Sequence, residues 1–296
     1  MYHYVRPDNK DYPYLKSLNL EIFKRQLDYF EKMFGFLTKD EYQDAIKKKK
    51  NPKGAVLTFD DGFKDHFKYV FPELRKRDLW GTFYIPTGIY QSKKLLDVHR
   101  IHFLIAKHGS KFILKETLKY IDDSMLDHNT IAEFDKDIYI TDNYIQDEKN
   151  LRRLLNYYVS YKYRNSILNK LMAEFCDEDK LFRQAYMSIE ELKELAQVGN
   201  IVGAHSVSHK VLSRLQYKEQ FDEIKKSFDF IESIIPQDYK SFCYPYGYKS
   251  SYNKITLKIL DSLNINDACV FDNRVQDNKM KKYELSRIDC NQFLNV

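Results

Sequence analysis

The chain has 296 residues, 43% of them hydrophobic and 31% charged, which excludes global disorder and suits one large α/β domain or a domain with a sizeable insertion. The net charge of +5 is spread through segments of mixed sign, which excludes a nucleic-acid module, and no apolar run approaches the length of a membrane span. The 24 Tyr and 20 Phe would suit sugar stacking, but in a Lys-, Asn- and Ile-rich chain they read first as background composition and decide nothing.

Tyr2 to Val5 is a short β-rich run ending at Arg6-Pro7, a first strand, and the Pro/Asp/Asn/Tyr segment to Leu18 reads as loop. Asn19 can cap a helix over Leu20 to Phe34, with Phe23, Leu27, Phe30 and Phe34 as its apolar stripe. Thr38-Lys-Asp-Glu41 is a capping-box pattern that opens a short helix through Ile46. The basic block Lys47 to Lys50 reads as a solvated helix end, with a contact to anionic lipid or nucleotide phosphate as the other option. Asn51 to Gly54 is a turn before Ala55-Val-Leu-Thr-Phe-Asp60-Asp61-Gly62, a buried strand running into two carboxylates.

A helix over Lys64 to Arg77 and a strand over Gly81 to Pro86 complete a βαβ unit, which implies parallel pairing. Trp80, just ahead of that strand, reads as core rather than as a sugar platform. From 93 to 183 no buried strand is evident. Helical patterns run over Leu95 to His108, Lys115 to Ile121 and Asp147 to Cys176, the signature of a mainly helical insertion. The α/β rhythm resumes with the capping box Ser188-Ile-Glu-Glu191. A strand follows over Ile201 to Ala204, a helix over Glu219 to Ile235 and a strand over Ser241 to Tyr244. A helix over Asn253 to Leu263 and strands over Asp267 to Phe271 and Glu284 to Cys290 end the series. About seven strands separated mainly by helices close most naturally as a parallel α/β barrel, whole or incomplete.

Cys176, Cys243, Cys269 and Cys290 show no paired spacing; three of them lie in apolar, strand-like contexts and read as small hydrophobes, and a reducing compartment fits best. Met1-Tyr-His-Tyr-Val lacks the basic and apolar regions of a secretory signal, so a cytoplasmic protein is expected, with peripheral contact to a membrane-borne substrate left open.

In parallel α/β folds the working residues sit at the C-terminal ends of strands. Asp60, Asp61, His205, His209 and Tyr246 stand at such ends, and Arg287 stands early in the last strand. Asp-Asp-Gly alone is as well a turn, and His205-x3-His209 alone is as well a structural pair. Together, two imidazoles and a carboxylate make a three-ligand site for Zn²⁺ with positions left open. The second carboxylate is then placed to take a proton from water acidified by the cation.

Thr58-Phe-Asp-Asp-Gly62 and His205-Ser-Val-Ser-His209 resemble the first two motifs of the polysaccharide deacetylase family, the NodB-type enzymes of carbohydrate esterase family 4. Phe242-Cys-Tyr-Pro-Tyr246-Gly247 resembles the third. The resemblance covers about 1–90 and 186–296. It implies a distorted parallel (β/α)7 barrel, here with the insertion between the third and fourth strands, as one catalytic domain over 1–296 interrupted at 93–183. It also implies metal-assisted removal of N- or O-acetyl groups from sugars. By position, Asp60 resembles the general base, and Asp61, His205 and His209 resemble the metal triad. Tyr246 matches the residue whose backbone N–H holds the oxyanion, and Ser206 is placed to orient the histidines. Two departures follow. Cys243 stands where many members have an arginine that orients the base, and Leu285-Ser-Arg287 stands where many have Leu-x-His with the histidine as general acid. Arginine is a poor proton donor, so Arg287 is expected to orient Asp60 or bind an anionic group. His3 is the candidate acid, with a packed or surface histidine as the alternative. His99 and His102 on one helix face read as packing first, then as a substrate contact or a second metal site.

The expected activity is metal-dependent N-deacetylation of a carbohydrate, on a nucleotide- or lipid-linked sugar of surface-polysaccharide assembly. Zn²⁺ is the expected ion, with Co²⁺, Ni²⁺ or Mn²⁺ as alternatives. The insertion would overhang the active-site face and select the substrate. The competing readings are a non-catalytic sugar-binding protein on the same scaffold and a deformylase or cyclic-imide hydrolase.

Overall fold

The computed structural model describes residues 1–8, 10–51, 53–128, 131, 134, 138–139, 144–272 and 280–296, so Pro52 of the expected Asn51–Gly54 turn lies outside them. They form two compact units. One comprises Met1–Asp8, Ser17–Ser92 and Ala185–Val296, and the other comprises Asn9–Lys16 and Lys93–Gln184.

The first unit is built on parallel strands. Among the described residues, β1 (Val5–Arg6) and β2 (Leu18–Asn19) form a separate two-stranded pair. β3 (Leu57–Phe59), β4 (Gly81–Ile85), β5 (Ile201–Ala204), β6 (Ser241–Cys243), β7 (Asp267–Phe271) and β8 (Leu285–Arg287) form one six-stranded parallel sheet in sequential order. The central strands are apolar or small along almost their whole length because both faces of the sheet are buried. The register sets Phe59 beside Phe83, Ala204 beside Phe242, and Phe271 beside Arg287. The strand ends are therefore level, and the turns after β3, β5 and β6 emerge side by side. Gly203 makes room for Tyr84, since a Cβ there would lie 2.6 Å from the Tyr84 ring.

Of the expected seven-stranded barrel, the described residues form six strands in one parallel sheet. The N-terminal run gives one bridge, Tyr2 to Phe59, and then leaves to pair with β2. Pro7, with no N–H to donate, stands directly after it. A flat sheet of six strands would hold its two edges about 24 Å apart. Instead the Arg287 guanidinium on edge strand β8 donates to Asp60, next to edge strand β3, at 2.7 Å. The sheet is thus curled, and its edges meet through side chains rather than through a backbone ladder.

The caps form as the sequence expects. Asn19 accepts from Glu21 N–H, and Thr38/Glu41 and Ser188/Glu191 make reciprocal boxes. Phe34 differs from expectation: it is 55% exposed, because it is the last residue of its helix before Gly35 turns the chain away. The expected Lys64–Arg77 helix begins as a π-helical turn, His66–Val70, and continues as Phe71–Lys76. Pro72 cannot donate into the preceding turn, and the Phe71 N–H reaches back to His66 O. Trp80 donates to Leu37 O at 2.6 Å and packs on Tyr42, a core role.

The second unit contains the helices Asp97–His108, Ser110–Leu118, Gln146–Arg153 and Tyr161–Phe175, and among its described residues the one strand-like feature is the bridge between Leu126 and Val159. The expected helix Asp147–Cys176 is interrupted there, after a π-helical turn at Leu154–Tyr158, where β-branched Val159 turns extended. Arg100 and Arg164, both buried, converge on Asp97, and Arg100 also grips Glu178 with two bonds, so the core of this unit is partly ionic. His99 is fully buried, with its ring 5.7 Å from that of His102.

Candidate metal and catalytic site

Three short turns carry the site. After β3 the chain enters Asp60, Asp61 and Gly62, with Asp61 at φ 76°. Tyr2 brackets this strand end: its N–H donates to Thr58 O and its carbonyl accepts from Asp60 N–H, both at 2.9 Å. That stitch carries His3 to the site. Its Nε2 lies 3.9 Å from both Asp60 Oδ2 and Asp61 Oδ2, beyond hydrogen-bond range, on a side chain 41% exposed. Buried His66 donates from Nε2 to the His3 carbonyl at 2.6 Å and so fixes the backbone there. Burial pushes the His66 pKa down to about 4.

The turn after β5 holds His205 to His209. The turn after β4 grips it from one side: Thr87 N–H donates to Ser206 O and Gly88 N–H to Val207 O. Gly88 is required, because a Cβ would stand 2.6 Å from Val207 O. From the other side, Glu223 of the Tyr217–Ile234 helix accepts from Val207 N–H, Ser208 N–H and the Ser208 hydroxyl. Ser206 Oγ accepts from His209 N–H at 3.0 Å. Ser206 and His209 both sit at positive φ. The turn after β6 places Tyr246, also at positive φ, with its ring edge-on to His209 at 4.9 Å.

The donor set fits a cation. His205 Nδ1 lies 2.7 Å from Cys243 O, and a carbonyl can only accept, so Nδ1 carries the proton and Nε2 presents its lone pair. Burial lowers the His205 pKa against the raising effect of the two aspartates, which keeps the ring neutral. That lone pair faces Asp61 Oδ1 at 3.6 Å, and His209 Nε2 faces the same oxygen at 3.5 Å. Two donors, each about 2.0–2.1 Å from one tetrahedral ion, lie about 3.4 Å apart. Electron pairs facing each other at this spacing call for positive charge between them. Asp60, His205 and Cys243 also lie within 4.8 Å of one another. Burial holds the Cys243 thiol protonated and Arg287 occupies Asp60, so Asp61, His205 and His209 are the better cation set.

Arg287 binds Asp60 with both arms, at 2.7 and 2.8 Å, and also reaches Thr58 Oγ1 at 3.3 Å and Cys243 Sγ at 3.0 Å. Burial alone would raise the Asp60 pKa, but the charge and bonds of Arg287 outweigh it and hold the carboxyl well below the usual range. The small Cys243 side chain leaves room for the guanidinium. The structure therefore gathers Asp60, Asp61, His205, His209, Tyr246, Arg287 and His3 in one place. Sequence reasoning did not find Glu223, His66, Thr87 or Gly88. Glu223 looked like any helix-surface acid, and its only signal is that its helix follows the histidine turn.

A polysaccharide deacetylase family model matches residues 139–268, which take in His205, His209 and Tyr246 but not Asp60 or Asp61. No curated protein sequence gives a significant match. Among solved structures, the chain is similar to the Streptococcus pyogenes deacetylase PplD in complex with acetate, at 19% identity and a TM-score of 0.59, covering 97% of this chain and 89% of that one. It is also similar to IcaB from Ammonifex degensii, at 16% identity and TM-score 0.56, covering 99% and 91%. A de-N-acetylase from Aggregatibacter actinomycetemcomitans follows at 11% and 0.55, covering 97% and 92%. These identities speak for a shared fold. The family model matches across two of the three turns, and the third turn completes the donor set in space.

Proposed function

We propose that this chain is a metal-dependent carbohydrate N-deacetylase. The observation that carries the reading is the neutral, lone-pair-presenting His205 facing Asp61 together with His209, with a second buried carboxylate, Asp60, fixed beside them. A divalent cation held by Asp61, His205 and His209, zinc first by the donor set and cobalt, nickel or manganese otherwise, would polarise an acyl carbonyl and acidify water.

Asp60 takes the proton of the attacking water. Arg287 aims the carboxylate and keeps it ionised at neutral pH, so it is ready to accept. The Tyr246 N–H, in a left-handed turn where N–H groups gather, donates to the charge that develops on the carbonyl oxygen. His3 is the group placed to hand a proton to the leaving amine: it is half-exposed, beside both carboxylates, and anchored through its own backbone by His66.

For the substrate we favour a nucleotide- or lipid-linked amino sugar met in the cytoplasm. The four free cysteines support a reducing compartment, and no helix among the described residues is long and apolar enough to cross a membrane. One observation favours the non-catalytic sugar-binding reading. A carboxylate held as tightly as Asp60 is a weak base.

The test is acyl release from nucleotide- and lipid-linked N-acetyl and N-formyl amino sugars by zinc-reconstituted protein, beside Asp60→Asn. Acetate release abolished in the variant, with zinc and sugar affinity kept, supports the proposal. Formate release from N-formyl sugars alone would make the chain a deformylase. No acyl release from any donor, with sugar affinity unchanged in Asp60→Asn, would leave a binding protein.

A further inference from the structure

The helix Ser110–Leu118 in the second unit has one face that the proposed chemistry does not use. At 100° per residue, its buried arc holds Ser110, Ile113, Glu116 and Thr117. The opposite arc runs, in angular order, Leu114, Leu118, Lys111, Lys115, Lys119, Phe112. Three ammonium groups lie along the middle with apolar side chains on both flanks. Phe112 is 42% and Leu118 55% exposed, and Lys111, Lys115 and Lys119 are exposed as well. The one acid of the segment, Glu116, lies on the buried arc and pairs with Lys119. Lys111 and Lys115 make no ion pair among the described residues.

Exposed apolar side chains cost hydration without return unless something covers them. The lysines between them select an anionic cover. An anionic bilayer surface offers both parts at once. Headgroup phosphates meet the ammonium groups of Lys111 and Lys115, and the acyl boundary lies within reach of the adjacent Leu114 and Leu118, while the lysine stems extend along the apolar surface; Phe112, on the far flank, packs on Phe175 and stays outside the contact. A soluble polyanion would satisfy the lysines and leave the leucine flank wet. We propose that this face docks the protein in the plane of an anionic membrane surface, as a peripheral and reversible contact.

The test is co-sedimentation of the full chain with phosphatidylcholine vesicles, with and without phosphatidylglycerol. Binding should require the anionic lipid and fade in high salt. Lys111→Gln/Lys115→Gln should weaken it about thirtyfold, at the usual contribution of a lysine near an anionic surface. Both lysines are exposed, so the variant is expected to keep its thermal midpoint. Leu118→Ser should weaken vesicle binding and leave binding to soluble polyphosphate unchanged. Equal binding to pure phosphatidylcholine, or a double variant that binds as tightly as the parent, would overturn the proposal. So would vesicle binding indifferent to Leu118→Ser, which would reassign the face to a soluble polyanion.

Discussion

Replacing Arg287 by Met keeps the aliphatic stem and removes the guanidinium, and the structure sets the size of the effect. The two arms make bonds of 2.7 and 2.8 Å to Asp60, with the side chains 7% and 3% exposed. Water cannot replace the lost partner at such burial, so a carboxylate is left in an apolar surround. Removing one member of a buried pair costs about 3–5 kcal/mol, most of it from the charge left behind. The double variant Arg287→Met/Asp60→Asn has no stranded charge and should recover more than half of that loss. The assay is urea unfolding of the parent, both single variants and the double variant, all stripped of metal so that cation binding does not enter the difference. An Arg287→Met variant within about 1 kcal/mol of the parent, or a double variant as unstable as the two singles added, would refute the reasoning.

Three further outcomes follow from the geometry. Burial holds His66 near 4 against an ordinary 6.5, so between these values the unfolded chain binds a proton that the folded chain refuses. Stability should therefore rise with pH across that window and be lost as pH falls, by up to about 3 kcal/mol. His66→Gln, which keeps an N–H for the His3 carbonyl, should flatten this dependence in urea midpoints taken between those limits, and an unchanged slope would count against it. Glu223→Gln keeps the size of the side chain but loses the charge that gathers three donors of the histidine turn; zinc affinity by titration calorimetry should fall about 10–100-fold with the fold intact. Gly203→Ala drives a methyl group to 2.6 Å from the Tyr84 ring and should cost about 1–3 kcal/mol in thermal or urea unfolding, whereas a neutral result would show that Tyr84 can yield.

Much of the first unit was legible because local rules and the global fold agree. Asn19, Thr38 and Ser188 are side chains that cap helices, and each does so. β4, β5 and β7 fall on the expected apolar runs because parallel strands bury both faces. The motif residues converge because level strand ends follow from the ladder. What stayed hidden depends on contacts far apart in sequence. The pairing of β1 with β2 instead of the main sheet is not written in either segment. Gln26, an ordinary helix residue by sequence, is buried and donates to Cys290 O and Phe293 O, tying the first long helix to the chain's last turn. Holding Asp60 was one of two roles expected of Arg287, and the choice between them turned on the curl of the sheet, which no local pattern announces. The break at Val159 likewise needed its partner Leu126.

The left-handed backbone at Asp61, Ser206, His209 and Tyr246 has a consequence for the whole domain. For a residue with a Cβ that conformation costs roughly 1–2 kcal/mol, so the four together amount to roughly 4–8 kcal/mol, on the scale of a domain's net stability. Each follows closely on the end of a parallel strand, so the strain is borne directly by the ladder and by the bonds from Thr87, Gly88 and Glu223. A looser scaffold would let these turns relax into ordinary conformations and point their side chains apart. In this chain, rigidity of the sheet and the donor geometry of the site are one property, and a stabilising change that eased those four residues would be expected to cost that geometry.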